Sequence, residues 1–329
     1  MMKIGILFGM EDCFQWALID RINAMGLKDV KAEPVKTGHV VMGVKSDYSL
    51  ILDRISHDIP FYKTFLKNEV LGGTQVINDP FWSLADDKFF ENALATKLGV
   101  AVPKTVLVPH KNHPPSTTEK SMRNLVYPLD WDALFGYIGW PAYLKQHWGG
   151  GWKHVYKVGS PEEFFQVYSQ TGHHLMMLQE SIEFESYYRC YCVGREKVQI
   201  MPYEPRNEYI KRYQANHEPL SQKMRARIER DTLTLNRALG YDLNTSEFAI
   251  RDGVPYAIDF MNWAPDCDKH SVGEENFAWV VENVAAMLVD RVGNVRPYGP
   301  FKTWHESLET GRPSRTDDRA KTMKEKGRS

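Results

Sequence analysis

With 329 residues, 43% apolar and 25% charged, and a formal net charge of -1, the chain has the composition of an ordinary globular protein and no global basic field to draw nucleic acid. No run approaches the roughly eighteen apolar residues of a membrane span, and the length exceeds one comfortable core, so two or three packed subdomains are expected. Four cysteines, Cys13, Cys190, Cys192 and Cys267, are too few and scattered for a disulfide framework. The first residues carry no signal-peptide pattern, so a reduced, cytoplasmic protein is expected.

Lys3 to Phe8 predicts a first strand, and Phe14 to Met25 a helix with Gly26 just beyond it. Val30 to Val35, Val40 to Val44 and Tyr48 to Ile55 are strand candidates. Phe61 to Leu71 predicts a helix stopped at Gly72-Gly73, and Thr74 to Ile77 another short strand. This alternation argues for a small parallel sheet covered by helices. Phe81 to Leu98 predicts a helix closed by Gly99, and Val100 to Val108 an extended segment. His110 to Pro128, rich in Pro, Ser, Thr and Lys, reads as a loop or insertion.

Trp140 to Lys145 and His154 to Val158 then form a hairpin across a glycine cluster, followed by a helix from Pro161 to Tyr168 capped by Ser160. Leu175 to Glu180 is a strand, and Tyr188 to Val193 pairs with Lys197 to Met201 around Gly194. Cys190 and Cys192 share one face of that strand as a core pair. A helix from Ser221 to Leu239 stops at Gly240. Thr245 to Ile250 and Tyr256 to Asn262 form a hairpin turned at Arg251-Asp252-Gly253, and a last helix spans Glu274 to Asp290. From Arg312 to Ser329, 7 Lys/Arg stand against 3 Asp/Glu with little to bury, which predicts a solvated tail.

Three features need a joint explanation. Lys145 ends an apolar strand and is followed by Gly149-Gly150-Gly151; an ammonium and closely approaching backbone N–H groups suit phosphate oxygens, although a glycine hairpin beside an exposed lysine would look the same. Leu178-Gln179-Glu180-Ser181-Ile182 turns abruptly acidic, with Glu183 and Glu185 behind it. Such a segment suits an adenine edge and ribose hydroxyls, or a strand leaving the core. Glu247 and Asp259 lie inside apolar runs on facing strands, with Asn262 three residues on. Burying two carboxylates costs several kcal/mol without a counter-charge, and Mg²⁺ removes that cost. Exposure at a sheet edge is the alternative.

Together these residues resemble the ATP-grasp superfamily over about residues 75 to 290. Asp87-Lys88, the run Leu98-Gly99-Val100-Ala101-Val102-Pro103-Lys104-Thr105, and Ala238-Leu239-Gly240-Tyr241-Asp242 add to the likeness, the last being similar to D-alanine–D-alanine and α-L-glutamate ligases. The resemblance implies an α/β (α+β) fold: a small N-terminal parallel α/β domain (1–80), a first lobe (81–180) with an insertion near 110–135, a second lobe with the metal site (181–295), and a basic, disordered tail (296–329). The two α+β lobes would enclose the nucleotide. It also implies that Lys88 and Lys145 hold phosphates, that Gly149, Gly150 and Gly151 close over them, and that Gln179, Glu180 and Ile182 meet adenine. Glu183 or Glu185 would take ribose, and Glu247, Asp259 and Asn262 would hold Mg²⁺. Arg189 would stand near the phosphates or the acyl intermediate. Two departures stand out: Met261 occupies the place where asparagine is usual, so that Asn262 needs a bulge at Phe260-Met261, and Thr245 stands where the D-alanine ligases carry an arginine.

The activity implied is amide or peptide bond formation between a carboxylate and an amine through an acyl-phosphate, with ATP and Mg²⁺. Arg54, Ser56 and His57, at the C-terminal end of a predicted parallel strand, are the substrate-contact candidates, with an Arg54–Asp53 pair capping the sheet as the alternative. A nucleotide-binding regulator of the same fold and a phosphotransferase to a non-carboxylate acceptor compete with the ligase. Neither nucleic acid nor membrane is an expected partner, and the oligomeric state is open, a homodimer included.

Overall fold

The computed structural model describes residues 1–82, 87–149, 153–214 and 217–294. The basic tail read over 296–329 lies outside them, as do Gly150 and Gly151. The chain opens with β1 (Met2–Leu7), α1 (Phe14–Ala24), β2 (Val30–Pro34), β3 (Tyr48–Asp53), α2 (Pro60–Leu71) and β4 (Gln75–Ile77). The four strands form a parallel sheet in the order β2-β1-β3-β4. Val40 to Val44, expected as a strand, is a loop. Asn68 of α2 holds it in that shape: its amide oxygen accepts the Gly43 N–H (2.9 Å) and its amide nitrogen donates to the Val44 carbonyl (2.7 Å). These bonds replace a strand ladder for that backbone.

The next unit contains α3 (Lys88–Lys97), β5 (Thr105–Val108), a 3-10 turn (Glu119–Met122), α4 (Trp131–Ile138), β6 (Ala142–Gln146), β7 (Val155–Val158), α5 (Pro161–Tyr168) and β8 (Met176–Glu180). Its antiparallel sheet runs β5-β8-β6-β7. α3 starts at Lys88 rather than Phe81, because the Asp87 carboxylate caps it, accepting the N–H groups of Phe89 (3.1 Å) and Phe90 (3.0 Å). Phe81 and Trp82 form a turn before it. The unexpected α4 is capped by Asp130 and sinks Phe135 and Ile138 into a core with Phe164, Tyr168, Leu144 and Leu178.

The third unit contains β9 (Ser186–Val193), β10 (Lys197–Pro202), a 3-10 turn (Tyr209–Gln214), α6 (Gln222–Leu239), β11 (Leu243–Arg251), β12 (Val254–Asn262), α7 (Lys269–Val272) and α8 (Glu274–Gly293). Its antiparallel sheet runs β10-β9-β11-β12. α6 ends where Gly240 takes the left-handed conformation at φ 74°, a backbone that favours glycine. Among the described residues no helix is long and apolar enough to cross a membrane.

The sheet's two faces behave differently, and that positions the site. One face sends Tyr188, Cys190, Phe248, Ala257 and Phe260 against Ile228, Leu235 and Leu239 of α6. Each such fully buried large side chain contributes roughly 1.5–3 kcal/mol. On the other face Tyr191, Val193, Met201 and Leu243 pack with α1, α8 and the parallel sheet. The same face continues into polar residues at its far end. Cys190 and Cys192 are buried and reduced, as the alternation predicts.

Candidate functional site

Three adjacent strands build the centre of the site by register alone. Arg189 of β9 pairs with Glu247 of β11, and Glu247 pairs with Asp259 of β12. Directly opposed residues project to the same face, so one cation and two acids stand side by side. Thr245 pairs with Asn262, two residues on β11 thus matching three on β12, with a further register shift after Glu247. The extra residue lies at Phe260-Met261, both buried. This bulge returns Asn262 to the face of Asp259, from which a regular strand would have turned it away.

The two acids have opposite surroundings. The Glu247 side chain is 19% exposed; its Oε1 stands 3.6 Å from Arg189 Nε, and its Oε2 accepts the Tyr187 hydroxyl at 2.6 Å. Burial pushes its pKa up, Arg189 opposes that, and the neighbouring Asp259 charge adds to the rise. The Asp259 side chain is 49% exposed. Burial works against its charge too, but Lys88, Lys145 and Arg189 outweigh it and hold its pKa down. The pair therefore titrates as a unit, with Asp259 the stronger acid of the two.

The first lobe supplies the facing cations. Lys88, in the first turn of α3, brings Nζ to 4.0 Å from Asp259 Oδ2, and its backbone N–H donates to the His147 carbonyl at 2.9 Å. Lys145 on β6 sits between Val155 and Met177 in the sheet. Its pKa is pushed down to about 8, first by burial and next by the Lys88 ammonium, against the pull of Asp259, Glu91 and Glu247. Two lysines of one sheet unit thus confront two acids of another. That arrangement suits a polyanion accompanied by a hard divalent cation.

No family model matches the chain, and no curated protein matches it. Solved structures do. The chain is similar to D-alanine–D-alanine ligase from Bacillus anthracis complexed with ATP, at TM-score 0.63 and 14% identity, over 92% of this chain and 100% of that one. It is similar to a RimK domain ATP-grasp protein from Sphaerobacter thermophilus at TM-score 0.59 and 16% identity, over 89% and 100%. ATP-grasp ligase PsnB, solved with minimal precursor, Mg and ADP, matches at TM-score 0.56 and 12% identity, over 88% and 98%. The chain has the ATP-grasp fold.

Other candidate residues divide within this ATP-grasp frame. Gly149, at φ +94°, opens the glycine loop. The Gln179 amide is buried and donates to Thr105 Oγ1 (2.9 Å) and Asn92 Oδ1 (3.3 Å), so its side chain is engaged inside the lobe. Glu180 accepts Arg251 Nη1 at 2.8 Å, tying β8 to the turn of the β11–β12 hairpin. Ile182 is buried among Tyr187, Tyr203 and Ala249. Glu183 is exposed and meets Lys157 Nζ at 3.1 Å; Glu185, also exposed, accepts the Asp252 N–H at 3.1 Å.

Two of the three expected substrate contacts turn inward. Arg54 is buried beneath Glu11, the Pro265 carbonyl and the Phe14 ring, and the Ser56 hydroxyl donates to Asp53. Neither offers a ligand an accessible surface, and the partner of Arg54 is Glu11, not the adjacent Asp53. His57 is accessible and rests edge-on against Trp263, the residue after Asn262, with ring centroids 5.2 Å apart.

Around Arg189 the structure gathers Thr245, Tyr203 and Tyr213. Thr245 Oγ1 accepts both Arg189 Nε (3.3 Å) and Nη2 (3.2 Å), and the guanidinium lies 5.4 Å from the Tyr203 ring centroid and 5.9 Å from that of Tyr213. Burial disfavours its charge, but these rings and Glu247 keep it protonated. Tyr187 had a sequence signal: it stands two residues before Arg189, hence on the same strand face.

Proposed function

We propose that the chain is an Mg²⁺-dependent, ATP-consuming carboxylate–amine ligase acting on amino-acid-like substrates. The observation that carries the reading is the approach of Lys88 to Asp259 (4.0 Å), with Lys145 and Glu247 in the same electrostatic cluster. Two carboxylates and a side-chain amide on one sheet face, Glu247, Asp259 and Asn262, are hard oxygen donors of the kind Mg²⁺ takes. When bound, Mg²⁺ offsets triphosphate charge and polarises its oxygens. The names of the similar structures, two of them ligases, support the reaction class.

In this reading Lys88 and Lys145 bind the triphosphate, and Gly149 to Gly151 approach it through backbone N–H groups. The base lies along the backbone from Glu180 to Ile182 rather than on the Gln179 amide, which is engaged elsewhere. Glu183 or Glu185 takes the ribose. A substrate carboxylate oxygen attacks the γ-phosphorus and ADP leaves. The amine nitrogen then attacks the acyl carbon, phosphate departs, and the amine releases a proton. Arg189, fixed by Thr245 and Glu247, places a permanent positive charge beside the forming acyl-phosphate. His57 is the substrate contact that stays accessible.

An irregular Asp259–Asn262 spacing would favour a non-catalytic regulator of the same fold; the bulge that brings Asn262 to the face of Asp259 supports the ligase reading instead. The test is ADP release by the purified chain over a panel of amino acids and dipeptides. Mg²⁺-dependent turnover with an amide product, lost in Asp259→Asn, is expected. Tight ATP binding with no turnover on any carboxylate would overturn the ligase, and a stable phosphorylated product would replace it with a phosphotransferase.

A further inference from the structure

A second cluster of potential metal ligands lies apart from the lysines and acids above, where the start of α1 meets α7. Cys13 precedes the first residue of α1, while Asp268 and His270 flank the start of α7. One ligand atom from each, a sulfur, a carboxylate oxygen and an imidazole nitrogen, lies within 4.8 Å of the other two. Cys13 lies 255 positions from Asp268 in sequence, so the fold brings the thiol to the neighbouring carboxylate and imidazole.

Helix capping explains part of this arrangement. The Asp268 carboxylate accepts the N–H groups of Asp12 (2.8 Å), Cys13 (3.1 Å) and Phe14 (2.9 Å), which satisfies the donors where the chain turns into α1. Capping requires neither a thiol nor an imidazole. Cys13 Sγ nevertheless stands 3.3 Å from Asp268 Oδ1, and the Lys269 N–H points at the same sulfur from 3.3 Å. Ligand atoms around a tetrahedral ion with bonds of ~2.0–2.3 Å lie roughly 3.3–3.8 Å apart, so the sulfur–oxygen edge is already at that length. His270 is exposed and free to swing inward, and Asp268 Oδ2 receives a single one of the capping N–H groups.

We infer that Cys13, Asp268 and His270 form a binding site for a borderline divalent transition ion of the Zn²⁺ type. Sulfur and imidazole select such an ion over Mg²⁺, which takes hard oxygen sets like Glu247, Asp259 and Asn262. On binding, the Cys13 thiol loses its proton to solvent, and its sulfur exchanges the hydrogen bond to Asp268 for the bond to the ion. The Lys269 N–H and the α1 N-terminus then stabilise the thiolate. Three protein ligands leave a fourth position for water or an external donor. The ion would pin the helix of the parallel sheet unit to the segment that follows β12.

The experiment uses the full chain, stripped with a chelator and titrated with Co²⁺ in the absence of nucleotide. One equivalent bound, with a thiolate-to-cobalt charge-transfer band that Zn²⁺ bleaches, is expected. Cys13→Ser should abolish the band, His270→Ala should weaken binding at least tenfold, and Asp259→Asn should change neither. Far-ultraviolet circular dichroism checks each variant; should Cys13→Ser not fold, the exposed His270→Ala decides alone. Cobalt bound without the thiolate band, a band that survives in Cys13→Ser, or unchanged affinity in His270→Ala would overturn the inference. None of these outcomes bears on the ligase reading, which rests on other residues.

Discussion

Lys145 gives the account its most quantitative test. A lysine that gives up its proton near 8 rather than at the ordinary 10.5 carries about 3 kcal/mol against its own charge. The main cause is burial and the second is the Lys88 ammonium, both of which a bound triphosphate would offset. Nucleotide binding should therefore restore the charge. Above pH 8 the free chain must take up a proton to bind, and affinity for Mg-ATP should fall by up to about tenfold between pH 8 and 9, where the triphosphate itself no longer titrates. Stability has the opposite slope: between pH 8 and 10.5 the unfolded chain holds the proton that the folded chain has lost. This residue then adds up to about 3 kcal/mol to the nucleotide-free fold as pH rises through that window. Calorimetric titration in two buffers of different ionisation heat measures the proton uptake, with Lys145→Met as the reference that should lack it. A dissociation constant that is flat from pH 7 to 9.5, or one with the same slope in Lys145→Met, would refute the reasoning.

Three further perturbations follow from the same geometry. Arg189→Met strands Glu247 and removes the guanidinium packed beside Tyr203 and Tyr213, so it should cost about 3 kcal/mol in urea unfolding; Arg189→Lys should not restore it, because Thr245 takes two N–H groups from one planar fork. Tyr187→Phe removes a hydrogen bond that lowers the Glu247 pKa. A raised pKa is felt at low pH, so Mg²⁺ affinity, followed by calorimetry with nucleotide present, should fall more at pH 6 than at pH 8. Gly240→Ala should lower stability by about 1 kcal/mol through backbone strain alone, since an added Cβ meets nothing within 4 Å; thermal unfolding checks it.

Much of the fold could be read from the sequence because its punctuation is local. Ser160, Ser221, Gly240 and the Asp252-Gly253 turn mark ends that the structure keeps within a residue or two. α4 escaped because its short apolar stripe, Phe135 and Ile138, follows a proline-rich stretch, and about two turns carry little periodicity. Val40 to Val44 looked like a strand because its composition says nothing of the Asn68 amide that holds it as a loop. The acids Glu247 and Asp259 were legible as charges in apolar runs on facing strands. Their cross-strand neighbours were less so: Arg189 joins them through strand pairing across 58 residues of sequence, and Glu180 meets Arg251 across 71. Arg54 shows the same limit. Sequence places Asp53 beside it, but adjacent strand residues face opposite ways, and the fold delivers Glu11 instead.

The site itself is open to direct observation. A crystal structure of the chain with Mg²⁺ and a non-hydrolysable ATP analogue should show the metal between Glu247 and Asp259, with phosphate oxygens within ~3 Å of the Lys88 and Lys145 amines. Nucleotide bound elsewhere, or bound at this site with its metal away from both acids, would contradict the account.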